Sequence, residues 1–208
     1  MTNSIIAIRG NYFDKQIEIF KEFKYVDLKQ DEQFDKLDDM YAYLFDNYLS
    51  FSEQDVALQG FWVDNGWTII CDPEMVNALD TAALLKLSDK FNSDVVTFLI
   101  QTTSGSFGFA KYGLSGQRNF LSIDGRVTDN TGLPLPEEVG LNINEQIFAD
   151  DIIGIAYKLG INFEKTSPQT YLAKKLSYNE ELKRDLAQFK SVQVKASGKK
   201  TSSWWKFW

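Results

Sequence analysis

The feature of this sequence that most restricts its fold is the shortness of the links between its predicted β-strands. Residues 95–101 and 107–112 are rich in apolar and β-branched side chains, and a turn of only five residues separates them. Residues 118–123 and 126–128 follow, and an Asp-Gly pair connects them. Parallel strands need a crossover of about a dozen residues or more, so links this short predict an antiparallel meander.

A further hairpin is predicted upstream, around Asn65-Gly66. Residues 61–63 and 67–70 lie on either side of this pair and are aromatic, β-branched or both. Asn and Gly accept the positive φ angles that two-residue hairpin turns require, so the pattern indicates two paired strands. Residues 4–9 are typical of a short buried strand at the start of the chain.

Helical periodicity is predicted on both sides of this β region. Residues 31–48 carry apolar side chains at intervals of three and four, which form one stripe along a helix: Phe34, Leu37, Tyr41, Leu44 and Tyr48. Residues 80–92 predict a second helix. Beyond residue 136 we expect helices only, and their start signals are Asn144, Ser167-Pro168 and the capping pair Ser177 and Glu180.

Helices first, strands in the middle and helices last predict an α+β fold, an antiparallel meander sheet flanked by helices. We expect residues 1–165 to form the core domain and residues 166–194 to form a helical flank of the same domain. Residues 195–208 form a basic aromatic tail. The C-terminal flank is thus expected to be helical and to carry this tail.

The predicted helix over residues 31–48 has an acidic surface opposite its apolar stripe. That surface carries four aspartates: Asp31, Asp35, Asp38 and Asp39. Like charges four residues apart destabilise a helix by a few tenths of a kcal/mol each, so a basic partner is one explanation for them. A solvated face, with Asp31 near the positive end of the helix dipole, is the other.

The aromatic tail is the clearest docking signal in the sequence. Trp204, Trp205, Phe207 and Trp208 follow a basic stretch, and large apolar side chains of this kind favour burial. We expect them to pack on a protein surface, either this chain's own body or another copy. A membrane interface is the second choice, because the body is strongly acidic.

Missing residue types exclude most common reaction chemistries. The chain has no histidine and a single cysteine, Cys71, so Ser-His-Asp triads and the usual Cys/His zinc sites are excluded. We expect no cofactor and no metal, and we interpret Cys71 as an inert core thiol. One cysteine forms no internal disulfide, and the sequence shows neither a signal peptide nor an apolar run of about 18 residues, which favours a cytoplasmic protein.

Charge is distributed unevenly along the chain. The formal net charge of −7 divides into +5 for residues 190–208 and −12 for residues 1–189. An acidic body repels phosphate backbones, so nucleic acid is excluded as the main partner and a basic protein fits better. Solubility alone is the simpler explanation for the negative charge.

The central block resembles a group of uncharacterised bacterial proteins that occur beside polymorphic toxins as immunity partners. The resemblance lies in residues 106–112 (SFGFAKY), in Arg118, in Asp124-Gly125 and in residues 132–138 (GLPLPEE), and the WWKFW ending is similar as well. It implies a cytoplasmic, non-enzymatic protein that binds another protein, such as a basic toxin. It brings no catalytic residues.

A carboxylate-dependent hydrolase, such as a glycosidase, is the alternative. Paired acids perform acid–base chemistry without histidine, and three adjacent pairs are present: Asp38-Asp39, Glu137-Glu138 and Asp150-Asp151. Consecutive helix residues point in different directions, so Asp38-Asp39 and Asp150-Asp151 are not ready-made dyads. Glu137-Glu138 follows a Pro-rich loop, where acids commonly precede a helix. Residues 102–106 could hold an anion through backbone N–H groups, but they lack the lysine and spacing of a P-loop.

Overall fold

A computed structural model of the chain describes residues 2–113, 115–141, 147–164 and 169–196. Within these residues the chain forms one ten-stranded antiparallel sheet and five α-helices. The strands are β1 Thr2–Arg9, β2 Tyr25–Asp27, β3 Glu32–Phe34, β4 Val56–Asp64, β5 Trp67–Cys71, β6 Val95–Gln101, β7 Ser106–Gly113, β8 Gly116–Ile123, β9 Arg126–Gly132 and β10 Tyr171–Tyr178. The helices are α1 Gln16–Glu22, α2 Leu37–Ser52, α3 Thr81–Phe91, α4 Ala149–Lys158 and α5 Glu180–Ala196.

The sheet confirms the predicted α+β architecture with an antiparallel meander. Its strand order is β2-β10-β4-β5-β1-β6-β7-β8-β9, and β3 also pairs with β10. Strands β6 to β9 are consecutive neighbours, as their short links require. The two predicted tight turns have positive φ at both central residues, 47° and 77° at Asn65-Gly66 and 49° and 71° at Asp124-Gly125.

Side-chain alternation along the strands sorts the core onto two faces of the sheet. On one face, Ile5, Trp62 and Phe98 pack with α2 and α4. On the other, Ile6 and Phe61 pack with α1 and α3. These are called the α2/α4 face and the α1/α3 face below.

Strand β10 corrects the prediction that the chain is entirely helical beyond residue 136. Ser167-Pro168, the predicted helix start, lies outside the described residues, as does Asn144. Tyr171–Tyr178 is a strand that pairs with β4 on one side and with β2 and β3 on the other. Within its described residues, the flank predicted over residues 166–194 is therefore helical only from Glu180 onward. Asn179 caps that helix by accepting a 2.8 Å hydrogen bond from the Leu182 N–H.

The predicted helix over residues 31–48 also begins later than expected. Residues 32–34 form strand β3, and α2 starts at Leu37 after an extended Lys36 with φ −129° and ψ 139°. From Leu37 onward the predicted stripe faces the core: Leu37 and Leu44 are buried, and Tyr41 and Tyr48 are half-buried against it. Met40, which the predicted stripe did not include, is buried as well. Asp31 and Asp35 do not belong to this helix.

Candidate protein-interaction surface

Asp31, one of the four aspartates predicted to face a partner, forms an ion pair with a buried lysine. Its Oδ2 lies 2.6 Å from the Nζ of Lys174, and Asp27 Oδ2 lies 3.0 Å from the same nitrogen. Lys174 projects from the interior strand β10, and its side chain is only 3% exposed. A buried ammonium group is unfavourable unless it is paired, so Asp31 and Asp27 together neutralise it.

The other three predicted aspartates remain on the surface. Asp35, Asp38 and Asp39 are all exposed, and Asp38 and Asp39 lie in the first turn of α2. Carboxylates at that position interact favourably with the positive end of the helix dipole. Because Asp35 precedes the helix, the predicted repulsion between it and Asp39 at helical spacing does not arise. The three residues form an acidic cluster at the start of α2.

A buried ion pair organises the segment that follows β9. Arg118 on β8 binds Glu138 in a bidentate manner, with Nε–Oε1 at 2.8 Å and Nη2–Oε2 at 2.7 Å. Both side chains are 2% exposed. The Arg118 guanidinium also lies over the Phe109 ring, 5.6 Å from its centroid. Fork-to-fork pairing of this kind fixes orientation as well as charge.

Further contacts tie the same segment to the sheet and to α4. The second guanidinium branch, Nη1 of Arg118, donates to the Oδ1 of Asn130 at 2.7 Å and to the carbonyl of Thr131 at 3.0 Å. Lys158, in the last turn of α4, donates to the carbonyls of Glu137 and Val139 at 2.9 and 3.0 Å. Residues 133–141, which we call the clamped loop, are thus held from both sides.

The clamped loop presents two large apolar side chains to solvent. Leu133 is 85% exposed and Val139 is 77% exposed, the two highest values among the large hydrophobic residues that the structure describes. Leu135 and Leu141 of the same loop pack instead against the core of the α2/α4 face. The loop therefore has an anchored side and an outward apolar side.

A small groove lies on the opposite, α1/α3 face of the sheet. Its volume is about 130 Å³, well below the roughly 300–1,000 Å³ of typical small-molecule sites. Thirteen residues line it: Ala78, Leu79, Thr81, Thr97, Leu99, Gly108, Phe109, Ala110, Tyr112, Asn119, Phe120, Leu121 and Asp129. Asp129 is the single carboxylate in this lining, so the groove lacks the acid pair that a glycosidase uses.

The three acidic pairs of the hydrolase alternative take separate places. The carboxylate of Glu138 is already paired with the guanidinium of Arg118. Asp151 caps α4 by accepting a 2.9 Å hydrogen bond from the Phe148 N–H, while Asp150 is exposed. Asp38 and Asp39 are exposed in the first turn of α2. In the part of the chain that the structure describes, no group of three or more acids and cysteines is placed to hold a metal ion.

Two other sequence features have structural explanations. Cys71 is fully buried, and burial raises the pKa of its thiol far above the ordinary value, as expected for an inert core cysteine.

The turn after β6 closes a hairpin in which Gln101 pairs with Ser106. Within that turn the hydroxyl of Ser104 lies 2.8 Å from the hydroxyl of Ser106 and donates to the Gln101 side chain at 2.6 Å.

Sequence reasoning missed Leu133 and Val139 as site residues. The sequence feature that could have indicated them is the segment 132–138. This segment is part of the resemblance to the immunity proteins, and it contains Glu138, the partner of Arg118. The segment is marked by Gly132, which has φ +85° and whose Cβ, if it had one, would lie 2.1 Å from the Gln117 carbonyl oxygen. Only glycine fits there, so the chain can turn away from β8 at that position.

The comparisons with protein-family models, with curated proteins and with solved structures found no match. The aromatic residues Trp204, Trp205, Phe207 and Trp208 lie outside the described residues. Among the helices that the structure describes, none has the length and apolar character needed to cross a membrane.

Proposed function

We propose that this protein is a cytoplasmic binding protein that captures a basic protein partner, in the manner of the immunity proteins that its central block resembles. The observation that carries the proposal is the clamped loop, which keeps Leu133 and Val139 exposed on a fixed frame. Large apolar side chains on a soluble protein are usually scattered or partly covered. Among the residues that the structure describes, the two most exposed large apolar side chains occur within one anchored loop.

Anchoring matters because an ordered loop loses little conformational entropy on binding. Each rotamer-rich side chain that is immobilised at an interface costs about 0.5–1.5 kcal/mol, and ordering a flexible loop adds to that cost. The Arg118–Glu138 pair and the Lys158 contacts fix the backbone before any partner arrives. The loop therefore supports binding with Leu133 and Val139 as contact residues.

Charge supports a basic partner. Residues 1–189 carry a formal charge of −12, and the acidic cluster Asp35, Asp38 and Asp39 is free of ion pairs among the described residues. Exposed charges act mainly on the rate of association and on its salt dependence. We assign the capture of the partner to the clamped loop and the electrostatic steering to the acidic surface.

Affinity purification from the source organism tests the proposal. Wild-type protein is expected to retain a basic protein that a Leu133→Asp/Val139→Asp variant loses. Leu49→Asp is the matched control, because Leu49 is 64% exposed on α2 and lies outside the clamped loop. Retention of the same protein by the loop variant, or its loss from the Leu49→Asp control as well, would contradict the proposal.

The steering role has a separate readout. With the captured protein in hand, the Asp35→Asn/Asp38→Asn/Asp39→Asn variant is expected to associate more slowly at low salt, with an unchanged dissociation rate. The difference from wild type should shrink as ionic strength rises, since the Debye length falls to about 8 Å at physiological salt. An unchanged association rate at low salt would assign these residues to solubility alone.

A further inference from the structure

The groove on the α1/α3 face arises where the helical cover of the sheet ends. Its floor follows a cross-strand row in which Thr97, Ala110 and Asn119 are neighbours on β6, β7 and β8. The side chains of Ala110 and Gly108 are small or absent, which leaves a depression. One wall is the short 3-10 turn Asn77–Leu79, where Leu79 is 44% exposed.

Size and lining suit one aromatic side chain. The groove measures about 130 Å³, slightly less than a cavity of about 150 Å³ that accommodates one benzene molecule in another protein, so it has room for one ring and an indole would enter it by one of its two rings. Leu79, Leu99 and Leu121 provide apolar contacts. Asn119 also lines the groove, and its Oδ1 is buried without a hydrogen-bond partner among the described residues. An indole is apolar and so matches the leucine contacts, and its N–H would pair with the Oδ1 of Asn119 after a rotation that turns this buried oxygen toward the groove.

We infer that this groove is the docking site for a tryptophan of the chain's own C-terminal tail, Trp204, Trp205 or Trp208. The inference does not rest on the proposed function, because the groove and the clamped loop lie on opposite faces of the sheet. It assigns the tail to an intramolecular role, in which an apolar segment is stored on the body of the protein.

The tail has the reach for this docking. Helix α5 starts just after β10, and its Leu182 and Leu186 pack on the α1/α3 face, the same face as the groove. Strands β6 to β8 lie four to six positions from β10 in the sheet, which is about 19–29 Å at about 4.8 Å per strand. The seventeen residues of α5 span about 26 Å, and the eight residues 197–204 add up to about 29 Å when extended.

Charge favours the same assignment. Asp129 is the single charged residue in the groove lining. The tail from residue 190 onward carries five lysines and no acid, and one of them, Lys206, stands between Trp205 and Phe207. A tryptophan in the groove therefore brings a lysine close to an opposite charge, although an exposed pair of this kind contributes little energy.

Acrylamide quenching of tryptophan fluorescence tests the inference on the full chain. Trp62 and Trp67 are 0% and 2% exposed, so any quenchable fluorescence reports the three tail tryptophans. We expect one protected tail tryptophan in the wild type and at least a twofold larger quenching constant in Leu121→Lys, whose charge enters the groove. Ile123→Lys is the matched control, because Ile123 is 42% exposed on the same strand and does not line the groove.

Each outcome decides the question once circular dichroism shows that both variants are folded. Protection in the wild type and in Ile123→Lys, with loss in Leu121→Lys, supports docking in the groove. Fully quenchable tail tryptophans in the wild type, or equal protection in Leu121→Lys, overturn it. Should Leu121→Lys fail to fold, the smaller change Ala110→Leu fills the groove and takes its place.

Two further measurements distinguish docking of the chain's own tail in the groove from docking of a second copy's tail and from binding of the tail to a membrane. Light scattering and quenching over a hundredfold dilution should show a constant monomer mass and constant protection. Protection that falls with dilution, together with a dimer mass, would assign the groove to the tail of a second copy and overturn the intramolecular form. Protection that appears only with anionic phosphatidylserine vesicles would make the tail a lipid anchor instead.

Discussion

Replacing Glu74 with glutamine should stabilise the protein at alkaline pH and leave it unchanged at acidic pH. Glu74 lies in the turn after β5, where burial, reinforced by the negative charge of Asp72, raises the pKa of its carboxyl group from 4.5 to about 7. Its Oε1 is buried without a hydrogen-bond partner, and Tyr178 donates to its Oε2 at a long 3.5 Å. No lysine or arginine pairs with it among the described residues.

The sign of the effect follows from linkage between protonation and folding. A carboxyl group whose pKa is higher in the folded chain favours folding when it is protonated. Its contribution is therefore fully present below pH 4.5 and is lost as the pH rises through about 7. At about 1.4 kcal/mol per pH unit, the rise from 4.5 to about 7 corresponds to about 3 kcal/mol.

Urea unfolding at pH 4.5 and pH 8 measures this difference. For Glu74→Gln we expect the free energy of unfolding to increase by up to about 3 kcal/mol at pH 8 and by about zero at pH 4.5. Glu53→Gln, at the exposed C-terminal end of α2, is the control for loss of a carboxylate that is not buried. An equal effect of Glu74→Gln at both pH values, or destabilisation at pH 8, would refute the reasoning, because it would mean that the carboxylate has a favourable partner.

Three further predictions concern buried groups. Arg118→Met should lower the free energy of unfolding by about 3–5 kcal/mol because it leaves Glu138 buried and unpaired, and the double variant Arg118→Met/Glu138→Met should be more stable than the single one in urea unfolding. Asp31→Asn should lower the melting temperature measured by calorimetry, because Lys174 loses one of its two carboxylates. The triple Asn variant of the acidic cluster is the control and should melt within about 2 °C of the wild type. Cys71 should not react with a thiol reagent in the native protein and should react stoichiometrically in urea, and a fast native reaction would show that the site opens.

Those parts of the fold that depend on local chemistry could be predicted from the sequence. Asn65-Gly66 and Asp124-Gly125 determine their hairpins because positive φ angles are required within a few residues of each other. Helix α3 is similar, since Asp80 caps it by accepting a 3.0 Å hydrogen bond from the Ala83 N–H and Asn92 ends it with φ 48°. Each of these signals acts within a single turn of the chain.

The position of β1 could not be predicted in this way. It lies between β5 and β6 in the sheet, so its partners are residues 58 to 99 positions away in sequence. Nothing in the local pattern of a buried strand specifies its neighbours. The candidate site has the same difficulty, because the exposure of Leu133 and Val139 depends on contacts made by Arg118 and Lys158 from other elements.

The two ion pairs of Lys174 show why strand β10 and the environment of Asp31 could not be predicted from the sequence. Lys174 and Lys175 interrupt the apolar alternation of residues 171–178, so this segment did not resemble an interior strand. Lys174 is nevertheless buried there, because Asp27 and Asp31 reach it from 147 and 143 positions away. The same contact occupies one carboxylate oxygen of Asp31, whose side chain keeps 24% exposure. Charge at a position follows from the sequence, but whether that charge is available to a partner depends on pairing across the fold.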